Sequence, residues 1–128
     1  MEDTVKVAPL MEFISTADAI IVDLRWNGGG NGPVGTWLSS YFSPTNIPLT
    51  LVYERRKDHT DFYATIPVKG KQRLDVPLYI LTNSRTFSAA EGFTYDLQAQ
   101  KRVTVIGEVT GRGVHPVNFM LSPKRTLK

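Results

Sequence analysis

The chain has 128 residues, 41% of them apolar and 21% charged, and no cysteine. That is the composition of one globular domain, and it excludes a thiolate nucleophile, a cysteine-built zinc site and a disulfide scaffold. Fifteen Lys and Arg against twelve Asp and Glu leave a net charge of +3, and because the signs are interleaved they form no stripe for nucleic acid. The longest unbroken apolar runs, such as Ala19 to Val22, fall far short of the ~20 residues that span a bilayer.

Val5 to Ser15 carries Val5, Ala8, Leu10, Phe13 and Ile14 at mostly helical spacing, which predicts a helix with Pro9 in its first turn. Ala19 to Leu24 is a β-branched run without alternation, as expected of a strand covered on both faces. After Gly28-Gly29-Gly30, Pro33 opens a second helix, with Val34, Trp37, Leu38 and Tyr41 on one stripe. Residues 48 to 55 and 61 to 67 are β-prone and flank Arg56-Lys57-Asp58-His59-Thr60, predicting a hairpin with a charged tip. Pro77 to Thr82 reads as a buried strand, Phe87 to Gln98 as a helix and Val103 to Gly107 as a strand. Strand, helix and strand in that order make a crossover unit, so the fold class is α/β.

Two segments could carry chemistry. In Asp23-Leu24-Arg25-Trp26-Asn27-Gly28-Gly29-Gly30, a strand runs into glycines that permit positive φ and leave N–H groups uncovered for an anion or oxyanion. A plain strand-to-helix turn is the other reading. A phosphate loop fails, because no Lys-Ser or Lys-Thr follows and Pro33 stands where GxGxxG needs its third glycine. The second segment is Asn83-Ser84-Arg85-Thr86-Phe87-Ser88-Ala89-Ala90-Glu91. A serine in the first turn of a helix has the positive dipole end and unpaired N–H groups about it, which suits a nucleophile whose attack creates an oxyanion. The alternative is that Ser84 or Thr86 caps the helix, with Glu91 adding first-turn charge. Asp23 and Arg25 can pair to brace the glycine loop. No His, Asp and Glu cluster has metal-site spacing, and no cofactor is implied.

Together with Val-Ile-Gly-Glu-Val-Thr-Gly-Arg-Gly at residues 105 to 113, these segments resemble the S41 family of serine peptidases, the carboxy-terminal processing and tricorn-core proteases. Val114-His115-Pro116 after the glycine turn is similar to the branch related to the interphotoreceptor retinoid-binding protein modules. The resemblance spans Ala17 to Pro116. It implies a ClpP/crotonase-like fold of repeated β-β-α units, with Ser88 as nucleophile, Glu91 as the motif acid, and N–H groups of Gly28 or Gly29 and Ala89 as oxyanion donors.

The departure concerns the base. Processing proteases of the family use a lysine, whose position falls on Gly113, and neither Lys101 nor Lys124 can replace it. His115 is the local candidate, because imidazole titrates near neutrality; its other reading is a structural histidine before Pro116. His59 and Arg55-Arg56-Lys57 read as solvated turn residues. The function implied is hydrolysis of peptide bonds in peptide or protein substrates. The alternative is an inactive module of the same fold binding a hydrophobic small molecule such as a retinoid or fatty acid. Relatives of this kind work in the periplasm or outside the cell. A complete module is longer, so residues 1–128 read as a single catalytic-core domain truncated at both ends.

Overall fold

The computed structural model describes residues 2–115. Its elements in chain order are α1 (Glu2–Phe13), β1 (Ile20–Asp23), α2 (Gly32–Ser39), β2 (Pro48–Glu54), β3 (His59–Ala64), β4 (Leu78–Thr82), α3 (Ala89–Ala99) and β5 (Thr104–Gly107). Three of the strands form one parallel sheet in the order β1-β4-β5. β1 and β4 align from Ile20↔Leu78 to Asp23↔Leu81, and β4 and β5 from Tyr79↔Thr104 to Thr82↔Gly107. β2 and β3 make a separate antiparallel ribbon. The result is a mixed α/β layer fold.

One face of the sheet meets the helices. Ile20, Leu78 and Ile80 are buried there with Phe93 and Leu97 of α3 and with Tyr41 and Phe42 just beyond α2. α2 packs on α3 at Gly35, where a Cβ would meet Phe93 Cβ in ordinary contact at 3.6 Å. The opposite face corrects an expectation. β1 is covered on one side only, with Ile20 buried and Ile21 66% exposed. The unbroken run Ala19 to Val22 reflects β propensity at a sheet edge, with one face packed and the other open.

α1 also differs from expectation. It begins at Glu2, so Pro9 lies past the first turn, inside the helix. Pro9 removes the hydrogen bond its own N–H would have made and its ring crowds the carbonyl one turn back, while buried Met11 and Ile14 N–H donating to the Leu10 carbonyl at 3.0 Å hold the helix beyond it. The hairpin tip is shorter than the pattern suggests: β3 begins at His59, and Asp58 takes a left-handed φ of 46°.

Two arginines fasten the connections. Arg73 donates from Nη1 to the Ile14 carbonyl at 2.7 Å and from Nη2 to the Ala17 carbonyl. Arg102 donates to the carbonyls of Phe42 (2.7 Å), Arg73 (2.6 Å) and Val76 (2.8 Å). These bonds satisfy buried backbone acceptors that no regular element reaches. No helix among the described residues is long and apolar enough to cross a membrane.

Candidate active site

Because β1 and β4 are parallel neighbours, the loops leaving their C-terminal ends lie side by side, the usual place for a site in an open α/β sheet. One loop carries Asn27 to Gly30 into α2 and the other carries Asn83 to Ser88 into α3. Thr86, fully buried, joins them. Its hydroxyl donates to the Leu24 carbonyl at 2.8 Å and accepts from Asn83 N–H at 3.1 Å. Leu24 N–H donates to the Leu81 carbonyl at 2.9 Å, and Phe87 N–H to the Asn27 carbonyl at 3.1 Å.

That stitching presses the glycine loop onto the serine. Gly29 has φ +95°, and a Cβ on it would stand 2.7 Å from Ser88 Cβ, 2.7 Å from the Phe87 carbonyl oxygen and 2.9 Å from Ala89 N. Only glycine fits. Gly28 has open space around it. The N–H of Gly29 is engaged by Asn27 Oδ1 at 2.9 Å, so of the two glycine amides considered as oxyanion donors this one is occupied. The N–H groups of Gly28 and Ala89 make no hydrogen bond among the described residues.

Ser88 precedes α3 with φ 54° and ψ −121°, a conformation that non-glycine residues adopt only where the surroundings impose it. Glu91 imposes it here. This carboxylate is only 3% exposed. Its Oε2 accepts from Ser88 N–H at 2.7 Å and Gly113 N–H at 2.8 Å, and its Oε1 from Arg112 N–H at 2.7 Å. Burial pushes the Glu91 carboxyl up, but hydrogen bonds from Thr110 and from the Gly113, Ser88 and Arg112 amides outweigh it and hold the group below the usual range. One side chain therefore anchors both the serine backbone and the turn at residues 110 to 113.

At Gly113, where the resemblance puts a lysine, a Cβ would run into the Phe87 ring. His115 is exposed two residues further on, and no lysine or histidine nitrogen among the described residues hydrogen-bonds Ser88. The structure thus brings together Gly29, Ser88, Ala89 and Glu91, with Gly28 lining a separate pocket beside Asp23, Trp26 and Asn27 and His115 outside the group. Pro116 lies outside the described residues. Asp23 and Arg25 pair at 2.7 Å on the exposed side of the glycine loop, and the Arg25 hydrogen bond lowers the Asp23 carboxyl to about 2. Nearby, the Arg85 guanidinium stacks 4.4 Å from the centre of the Trp26 ring. No group of three or more His, Asp or Glu able to hold a metal occurs among the described residues.

A cleft of about 200 Å³ opens beside Ala89, walled by Leu24, Val34, Leu38, Ala90 and Phe93. Its apolar lining and the open Ala89 N–H at its rim suit an acyl group whose carbonyl oxygen is to gain negative charge. Sequence reasoning missed two parts of this arrangement. Asn27 before three glycines is the standard side-chain-to-backbone turn signal. The second role of Thr86, tying one loop to the other, leaves no local signal because its partner Leu24 is 62 residues away.

The sequence pattern described as Peptidase family S41 matches residues 4–128. A carboxyl-terminal-processing protease of Synechocystis sp. (strain ATCC 27184 / PCC 6803 / Kazusa) is 35% identical over 107 residues, covering 83% of this chain and 24% of that protein. A tail-specific protease of Haemophilus influenzae (strain ATCC 51907 / DSM 11121 / KW20 / Rd) is 36% identical over 116 residues, covering 88% of this chain and 16% of its own length. The solved structure of a photosystem II D1 C-terminal processing protease superposes with a TM-score of 0.67 at 25% identity, covering 81% of this chain and 26% of that one. The chain therefore spans a quarter or less of the length of the curated relatives it matches.

Proposed function

The chain belongs to peptidase family S41, and from that premise we propose that it supplies the nucleophile and oxyanion site of a serine peptidase. The carrying observation is Ser88, held at φ 54° and ψ −121° at the mouth of α3 against Gly29. In this reading Ser88 Oγ attacks the carbonyl carbon of a peptide bond. The carbonyl electrons move onto oxygen, which is received by the N–H groups of Ala89 and Gly28 at the positive end of α3. The serine proton goes to a base and then to the leaving amine, and water hydrolyses the acyl-enzyme. Gly29, its own N–H held by Asn27, contributes the space in which Ser88 can turn.

The base is the open role. His115 is the candidate on this chain, two residues beyond the turn that Glu91 anchors. Substrates would be proteins or peptides, processed at the carboxyl terminus as the name of the Synechocystis relative says of that protein. Within the family, Val114-His115-Pro116 supports placing the chain in the retinoid-binding-protein-like branch.

A second reading, a binding module for a retinoid or fatty acid, is favoured by one observation: the Phe87 ring fills the space a side chain at Gly113 would need. Incubation with a fluorophosphonate probe separates the two readings. The peptidase reading expects covalent labelling that disappears in Ser88→Ala. Absence of labelling together with saturable binding of a fluorescent fatty acid would overturn it in favour of the binding module.

A further inference from the structure

A second cavity, about 90 Å³, lies on the other side of the α2–α3 contact from the apolar cleft. The two share Gly35, Ala89 and Phe93 as their common wall, so both border Ala89, the residue that follows Ser88. Their linings differ in chemistry. The second runs down the face of α3 formed by Ala89, Gly92 and Asp96, spaced as successive turns of one helix face, with Thr36, Thr50 and Tyr63 facing it from α2 and the hairpin.

At its far end sits Asp96. Its Oδ1 accepts a hydrogen bond from Thr50 Oγ1 at 2.7 Å, and among the described residues no cation lies within ion-pair distance of it. A half-buried carboxylate with one neutral donor and no counter-charge is an incomplete arrangement. Burial accordingly raises its pKa, with the Thr50 hydrogen bond opposing. The space at its end admits an ammonium or guanidinium head on a short alkyl stem, and one carboxylate oxygen remains to receive it.

We propose that the groove ending on Asp96 is a subsite for the cationic end of a basic side chain of the substrate, one that lies along α3 while the neighbouring apolar side chain enters the cleft at Leu24 and Leu38. The inference rests on Ser88 as the reacting group, since that fixes the substrate between the two cavities. It names Asp96 as a specificity-determining residue and Thr50 as the group that orients its carboxylate.

The test needs no turnover. Backbone amide shifts of the 15N-labelled chain are followed during titration with n-butylammonium chloride and, at matched ionic strength, with n-butanol. The expected result is saturable shifts at Thr50, Gly92 and Asp96 with the ammonium and at least tenfold weaker response to the alcohol. In Asp96→Asn the ammonium affinity falls at least tenfold to the level of the alcohol. Thr50→Lys, which places an internal ammonium at the carboxylate, abolishes binding with Asp96 intact and provides the same answer if Asp96→Asn does not fold. Equal response to ammonium and alcohol, or ammonium binding unchanged in the foldable variant, overturns the proposal. Fluorophosphonate labelling of Ser88 on the same sample reports the peptidase reading separately: labelling without ammonium binding removes only the subsite. Ammonium binding without labelling leaves the cation site standing and removes the nucleophile.

Discussion

Replacing Glu91 by Gln tests the anchoring of Ser88 directly. The substitution keeps the volume and exchanges one acceptor oxygen for an NH2 group. Glu91 accepts three backbone N–H bonds at 2.7 to 2.8 Å. A glutamine can keep its oxygen toward Ser88 and Gly113, but its NH2 then faces Arg112 N–H, donor against donor. One bond to a charged acceptor is lost, about 1.5–3 kcal/mol, and the other two lose their charge assistance. Against this stands the smaller cost of burying a neutral amide, so the net destabilisation is about 2–3 kcal/mol. Urea unfolding followed by circular dichroism at pH 7 measures it as a lower midpoint at constant slope. The pH dependence has a definite sign. The folded carboxyl is held below the ordinary value of the unfolded chain, about 4.3, so its contribution is fully present above that value. It shrinks as pH falls through the unfolded and then the folded value. The stability gap between wild type and Glu91→Gln should therefore be constant above about pH 5 and close toward acid. A gap under about 0.5 kcal/mol at pH 7, within the range of an ordinary surface substitution, or a gap independent of pH between these limits, would refute the reasoning.

The glycine loop offers a paired contrast: Gly29→Ala drives a Cβ into Ser88, Phe87 and Ala89 at a positive φ and should cost more than about 2 kcal/mol. Gly28→Ala, with open space around it, should cost less than about 1 kcal/mol; equal urea midpoints for the two would refute the packing described. Arg102→Met leaves the carbonyls of Phe42, Arg73 and Val76 without their donor, a loss of about 3 kcal/mol or more. Calorimetry should show a lower melting temperature with the native near-ultraviolet spectrum retained before the transition.

Where the chain speaks locally, the sequence was legible. Pro33, the glycine run and the two buried runs each announced an element, and β1, β4 and β5 formed within a residue or so of the runs that predicted them. The adjacency of Gly29 and Ser88 was legible only through the family resemblance, since 59 residues separate them and pairing of β1 with β4 is a tertiary fact. Reading Ala19 to Leu24 as covered on both faces failed because β propensity and two-sided burial produce the same apolar run. Glu91 was legible as a first-turn acid, but its three amide partners were not, because Arg112 and Gly113 arrive from a loop with no periodic signal. Asp96 and Thr50, 46 residues apart, were silent for the same reason.

The backbone torsion of Ser88 carries a consequence for how the protein can change. Serine at φ 54° and ψ −121° bears a standing strain of about 1 kcal/mol or more that glycine would lift. Glycine would remove the strain and the hydroxyl together, whereas alanine would remove the hydroxyl and keep the strain. A lineage indifferent to that oxygen would drift toward glycine and a firmer fold. This chain keeps the oxygen at the one place where it is least comfortable, which weighs, from one sequence alone, on the side of use.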